Sequence, residues 1–339
     1  MSQTQVDLLQ YLRSKTQVDL DTFDVTVIEE FGQCVDCTSN QHCLQFEYYN
    51  ELAKPSRNDI LQKAAGLAAK HIGQFPGVRV EELAVEVAAV LLGLEMLPAF
   101  TGNLHVMANP EYAYSKRKVV ETGKRYHKLF GLIDPFFPTS RLVMKVPATW
   151  EGIQACRDLR AASIKTLATT VFTMEQAVLA GEVGCVSISP FVHELKVIFD
   201  ESYRDNHLIN LCVQAQRWYE QNSLPTKVKA CATVGVNEIL QLAGVAAFTI
   251  IPDDLRVLQS THKDADELAR MSLFNQDVIG EAKREYGPYV DDEAKYRIDF
   301  ARADEGQAQM KLGQAIHIFC DFQAKAEALI LKSIRPIQQ

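Results

Sequence analysis

One lysine of this chain stands where a lysine is energetically awkward. The run Arg141–Ile153 reads RLVMKVPATWEGI. Leu142, Val143, Met144 and Val146 make a short continuous apolar stretch, the pattern of a buried strand. Lys145 lies inside it. On a strand buried on both faces an amine must pair or lose its charge, because desolvation favours the neutral form. A neutral amine in a pocket is the nucleophile that forms Schiff bases with carbonyl compounds. The plainer alternative is a Lys145 stem that covers apolar surface while its head reaches water past the strand end. Pro147 ends the strand, and Thr149 can cap a helix beginning at Trp150, with Glu151 near its N-terminus.

The elements that must position Lys145 alternate along the chain. Short strands are expected at Val18–Asp21, Cys34–Asp36, Asn103–Val106, Leu142–Val146, Thr166–Phe172, Gly184–Ile188, Lys227–Thr233 and Ala247–Ile251. Helical patterns lie between most of them, and only helical patterns follow, the last through Glu305–Ile334. Eight strands alternating with helices predict an α/β fold, a (β/α)8 TIM barrel with extra C-terminal helices. The whole chain, 1–339, reads as a single domain, with the barrel over about 15–260 and the added helices over about 261–334. A doubly wound sheet competes, but no Gly-rich phosphate fingerprint follows the first strand.

Composition narrows the function classes. A formal net charge of -8 and no long Lys/Arg run argue against nucleic acid as a partner. No apolar run approaches the roughly 20 residues that span a bilayer, so no membrane is expected. The start of the chain lacks the pattern of a signal peptide, and most of the eight cysteines fall in apolar patterns; both predict a cytoplasmic protein. Cys34, Cys37, His42 and Cys43 have zinc-like spacing without a second, separated ligand pair. No metal and no cofactor is expected.

In a barrel of this kind the chemistry sits at the C-terminal ends of the strands. That rule selects Asp21 after strand one, Thr38 and Asn40 after strand two, Asn103 and His105 on strand three, Lys145 on strand four, Thr169 on strand five and Ser189 after strand six. An amine that attacks a ketone, a carboxylate that moves protons, and hydroxyls and amides that hold a polyol and a water make a set for imine chemistry. Taken singly, Thr38 and Asn40 read as turn residues, Ser189 as a cap and Asp21 as a solvated acid.

The blocks DTFD (Asp21–Asp24), DCTSN (Asp36–Asn40), LVMKVPATWEGI (Leu142–Ile153), SISPFV (Ser187–Val192) and NEILQLAG…FTIIP (Asn237–Pro252) resemble, in order, the signature blocks of the transaldolase family. The resemblance implies a class I aldolase barrel, usually a homodimer in carbohydrate metabolism (the pentose phosphate pathway). Lys145 would form the imine with a ketose. Asp21 would be the acid–base at the sugar hydroxyl, Asn40 and Ser189 would hold the dihydroxyacetone part, and Thr169 would bind the catalytic water. Thr38 and Phe191 fall in the same blocks and join the substrate-binding set.

Departures from the family pattern are as informative. The family carries a Glu on strand three, in a Thr-Glu-Val-Asp run, and the corresponding run here is read as Gly102-Asn103-Leu104-His105. Asn103 can orient a water but cannot take its proton; His105 faces the same way and could substitute. The family's Asn two residues before Thr169 is Leu167. After SPFV the family's Gly-Arg becomes His193-Glu194, and after strand seven its Ala-Ser-Phe-Arg becomes Cys231-Ala232-Thr233-Val234. Two arginines and a serine that clamp a phosphate are thus Glu194, Val234 and Ala232. Lys229 is expected to point away from the pocket, toward the helices. Three functions fit this pattern: a Schiff-base enzyme acting on a carbonyl substrate without the usual phosphate, an ordinary transaldolase moving dihydroxyacetone between sugar phosphates, and a non-catalytic barrel that binds a metabolite or protein.

Overall fold

A computed structural model describes residues 5–38, 51–200, 202–276 and 285–334. Its strands are β1 (Gln5–Asp7), β2 (Gln17–Asp21), β3 (Cys37–Thr38), β4 (Leu104–Met107), β5 (Leu142–Pro147), β6 (Lys165–Val171), β7 (Ser187–Pro190), β8 (Lys227–Ala230), β9 (Ala247–Ile250) and β10 (His262–Asp264). Strands β2 to β9 pair in parallel in chain order, and β2 pairs with β9 to close an eight-stranded barrel. Helices lie between the strands, so the expected (β/α)8 barrel is present. Residues 39–50, which include Asn40, lie outside the described residues.

Strand boundaries differ from expectation for local reasons. Strand two is Cys37–Thr38 rather than Cys34–Asp36, and Cys34 makes only an isolated bridge to Phe100. β7 starts at Ser187 because Gly184 is the left-handed C-cap (φ 79°) of the helix Met174–Val183. β1 and β10 form a small antiparallel pair that the sequence pattern does not announce. The long last helix begins at Ala308, after Asp304 and Glu305 take positive φ in a preceding turn. It packs on the helices Asn58–His71 and Val80–Glu95.

The block that carries Lys145 folds as its residues dictate. Thr149 Oγ1 accepts the Gly152 N–H at 2.8 Å and caps the helix Trp150–Ala161. Gly152 is required there, because a Cβ would collide with the Pro147 carbonyl. From the next helix, the buried Gln176 side chain donates to the carbonyls of Ala148 (2.8 Å) and Thr170 (3.2 Å), tying the ends of β5 and β6 together. Thr170 sits at a β-bulge with φ 59°, a strained conformation for a threonine that these bonds sustain.

Candidate active site

Side chains alternate between the barrel interior and the helices, so the interior fills in layers. The layer beneath the mouth is charged. Lys229 Nζ donates to Asp36 at 2.9 Å and to Asp19, and is only 2% exposed. This corrects the expectation that Lys229 faces the helices: it shares the face of Cys231, two residues on, and points into the barrel. Asp36 also lies 3.2 Å from His105 Nε2 and accepts the Asn103 N–H at 2.7 Å.

The titrations follow from burial and pairing. Burial raises the Asp36 carboxyl, but the His105 hydrogen bond and the Lys229 charge outweigh it and hold Asp36 well below the usual range. Burial dominates at Asp19, whose pKa is raised despite Lys229. For Lys229, burial opposes the charge while Asp19 and Asp36 outweigh it, so its pKa is raised. His105 is pushed down to about 4, chiefly by burial, and is neutral at pH 7. Its Nδ1 is buried without a hydrogen-bond partner in the described structure.

Above this layer lies Lys145, 5% exposed, whose Nζ donates to Thr38 Oγ1 at 3.1 Å. Thr38 is the in-register neighbour of Asp21, which brings that carboxylate to the same level. Across the mouth, the Cys231 thiol feels the charges of Lys145 and Asp21, lies near enough to Ser189 for its hydroxyl to lower the thiol's pKa, and donates to the Pro190 carbonyl at 3.5 Å. Burial pushes this thiol up to about 12, so it is protonated at pH 7. Thr169 is buried beside Pro147, its strand neighbour, and its carbonyl accepts the Ala148 N–H at 2.8 Å. Phe191 packs edge-on against Phe172 with centroids 5.6 Å apart and forms a wall. Lys145, Asp21, Thr38 and Ser189 therefore converge with Cys231, which motif reading passed over. Its signal was parity with the inward-facing position at the end of β8.

Two expected residues lie elsewhere. Asn103 precedes β4, at the end of the barrel opposite the mouth, where its side chain donates to Asp36 and accepts from Lys165 at 3.2 Å. His105 is in register with Val143, one inward position below Lys145. The residue in register with Lys145 is Met107. The expected strand, Asn103–Val106, was one residue early, and that offset hid Met107. Leu167 is the in-register neighbour on the other side.

The rim near β7 and β8 is acidic and internally bonded. His193 lies between Asp205 (Nδ1, 2.8 Å) and Glu238 (Nε2, 2.8 Å). Burial lowers its pKa, but the two carboxylates outweigh burial and raise it. Glu194 is buried, accepting from Tyr203 Oη at 2.7 Å and from Gln314 Nε2 at 2.9 Å, so its carboxylate braces the loop against the last helix. Val234 is 55% exposed, and its N–H donates to Glu238. Ala232 takes a positive φ of 57° beside Cys231. None of these side chains is an arginine, a lysine or a serine. Among the described residues no cluster of three or more His, Cys, Asp or Glu could hold a metal ion, and no helix is long and apolar enough to cross a membrane.

An eight-stranded parallel barrel with helices between its strands, and with a buried lysine, a carboxylate and hydroxyls at its C-terminal mouth, is a (β/α)8 barrel whose polar residues gather where such barrels carry their chemistry. The family model described as transaldolase/fructose-6-phosphate aldolase matches residues 18–311. The chain belongs to that family. It is 27% identical over 334 residues to transaldolase B of Pasteurella multocida, covering 96% of this chain and 99% of the relative. Identity to the transaldolase of Methylococcus capsulatus is 28% over 336 residues, 96% of each chain.

Proposed function

We propose that the protein is a Schiff-base enzyme that makes, breaks or transfers a C–C bond at a ketone or ketose without the usual phosphate. The observation that carries this is the Lys145 amine, buried at the mouth and hydrogen-bonded to the Thr38 hydroxyl. The amine adds to the carbonyl carbon and expels the oxygen as water. Cleavage of the adjacent C–C bond sends the β-hydroxyl proton to Asp21, releases an aldehyde and leaves the electron pair in an enamine. The enamine then attacks a second aldehyde, or takes a proton and is hydrolysed. Thr38 orients the amine, Ser189 and Asn40 hold substrate hydroxyls, and Thr169 holds the water. Neither Asn103 nor His105 has a part in these steps. A cytoplasmic homodimer without cofactor completes this reading.

The electrostatics of the rim support a substrate without phosphate. Arginine suits phosphate through bidentate, charge-assisted bonds, whereas this rim holds Glu238 and Asp205 about His193, with the Glu194 carboxylate bonded to Tyr203 and Gln314. Losing a buried charge-assisted partner costs roughly 2–5 kcal/mol. The test compares kcat/KM for fructose 6-phosphate with that for unphosphorylated ketones, in wild type, Val234→Arg and Glu194→Gln. The reading predicts a preference for the unphosphorylated compound that Val234→Arg narrows. The relatives' names favour a second reading, ordinary transaldolase; efficient wild-type turnover of the sugar phosphate, unimproved by the arginine, would establish it.

A further inference from the structure

The strands on either side of Lys145 offer it hydrocarbon. Residues in register on adjacent parallel strands share a face, so Met107 of β4 and Leu167 of β6 flank the lysine inside the barrel. Both are fully buried. The polar groups are Asp21 of β2, Thr38 of β3, Ser189 of β7 and Cys231 at the end of β8, with Thr169 of β6 one inward position beyond Leu167. The lysine thus has an apolar side chain in register on each side, and the hydroxyls, thiol and carboxylate lie on the remaining strands and nearer the mouth.

An imine carbon is one bond from Nζ, so its two substituents fall within contact of the side chains beside the lysine. A hydroxyl on those substituents gives up water and meets a thioether or an isobutyl group, neither of which replaces the lost hydrogen bonds. We infer that the donor substrate is a ketone whose carbonyl-flanking carbons bear hydrogen rather than hydroxyl, a β-hydroxy methyl ketone and not a ketose. This rests on the imine reading above and narrows it. With such a substrate the Lys145 amine displaces the carbonyl oxygen as water. Breaking the bond between the α- and β-carbons transfers the β-hydroxyl proton to Asp21 and releases an aldehyde. The electron pair stays in the enamine of acetone, which takes a proton at carbon and then one water, giving acetone and free amine and returning the proton.

The experiment is borohydride trapping of the full-length protein with acetone, hydroxyacetone and dihydroxyacetone, followed by intact-mass and peptide mapping. Adduct yields are normalised to N-acetyl-lysine in the same tube, which removes intrinsic differences between the ketones. Labelling at Lys145 should fall by about tenfold per added hydroxyl, the effect of one unsatisfied polar group. In Leu167→Asn and Met107→Glu, dihydroxyacetone should regain about that factor relative to acetone; Leu167→Met, which keeps the apolar wall, should behave as wild type. Dihydroxyacetone labelling Lys145 as well as acetone does in the wild type would overturn the inference and leave the imine reading standing. No labelling of Lys145 by any of the three would remove both.

Discussion

Two lysines are buried in this barrel, one layer apart, and their surroundings have little in common. Lys229 is clasped by Asp19 and Asp36, with His105 completing the cluster. Lys145 hydrogen bonds to the Thr38 hydroxyl, and no ion pair joins it to a described carboxylate. A buried ammonium held by two carboxylates has its proton locked in place and its lone pair withheld. The Lys145 Nζ donates to one hydroxyl and is not clasped between carboxylates among the described residues. The contrast supports the proposal that the lower lysine is structural and the upper one does chemistry.

Removing a partner from the lower cluster should have the largest effect on stability. Lys229→Met leaves two carboxylates buried without their cation, and breaking a buried pair costs about 3–5 kcal/mol. Urea unfolding would measure it. A change under about 1 kcal/mol would mean that water reaches this layer and that the two lysines differ less than their contacts imply.

His105 supplies a pH signature. Its folded pKa of about 4 lies below the 6.5 of a free histidine, so the unfolded chain binds the proton first as pH falls. Stability should therefore drop from pH about 6.5 down to about 4, by up to about 3 kcal/mol. Asp36, whose folded pKa is depressed, adds a loss at still lower pH, as pH falls below the range of a free carboxylate. His105→Gln should flatten the first slope and leave imine trapping at Lys145 intact. A mutant that keeps the slope would assign it to another group.

At the upper lysine, Thr38→Val should be the mildest change, about 1 kcal/mol in stability for one hydrogen bond. Its effect on trapping at Lys145 should be a few-fold loss of rate, because the amine loses its orientation and keeps its place. Unchanged trapping kinetics would show that Thr38 has no part in positioning the nucleophile.

Much of this contrast was legible in the residues, and the illegible part has physical causes. The apolar run around Lys145 and the strand–helix alternation carry the barrel and the lysine's place in it. Thr149 and Gly152 carry the turn that follows. The sequence pattern did not mark how far along a short strand the mouth lies. Asn103, His105 and Met107 share one face, and the expected range Asn103–Val106 stopped short of Met107, the residue in register with Lys145. Lys229 was misdirected by phase instead, because alternation was counted from Ala232 and Val234 and not from Cys231. Glu194 shows a different limit: its partners Tyr203 and Gln314 lie 9 and 120 residues away, and no local pattern announces such a bond.

The central claim is that Lys145, and not Lys229, is the nucleophile. Borohydride treatment with a carbonyl substrate, followed by peptide mapping of wild type and Lys145→Met, tests it most directly. The adduct should map to the peptide that contains Lys145 and vanish in the mutant while its fold, checked by circular dichroism, persists. An adduct that survives in Lys145→Met, or one that maps to Lys229 in the wild type, would contradict the account.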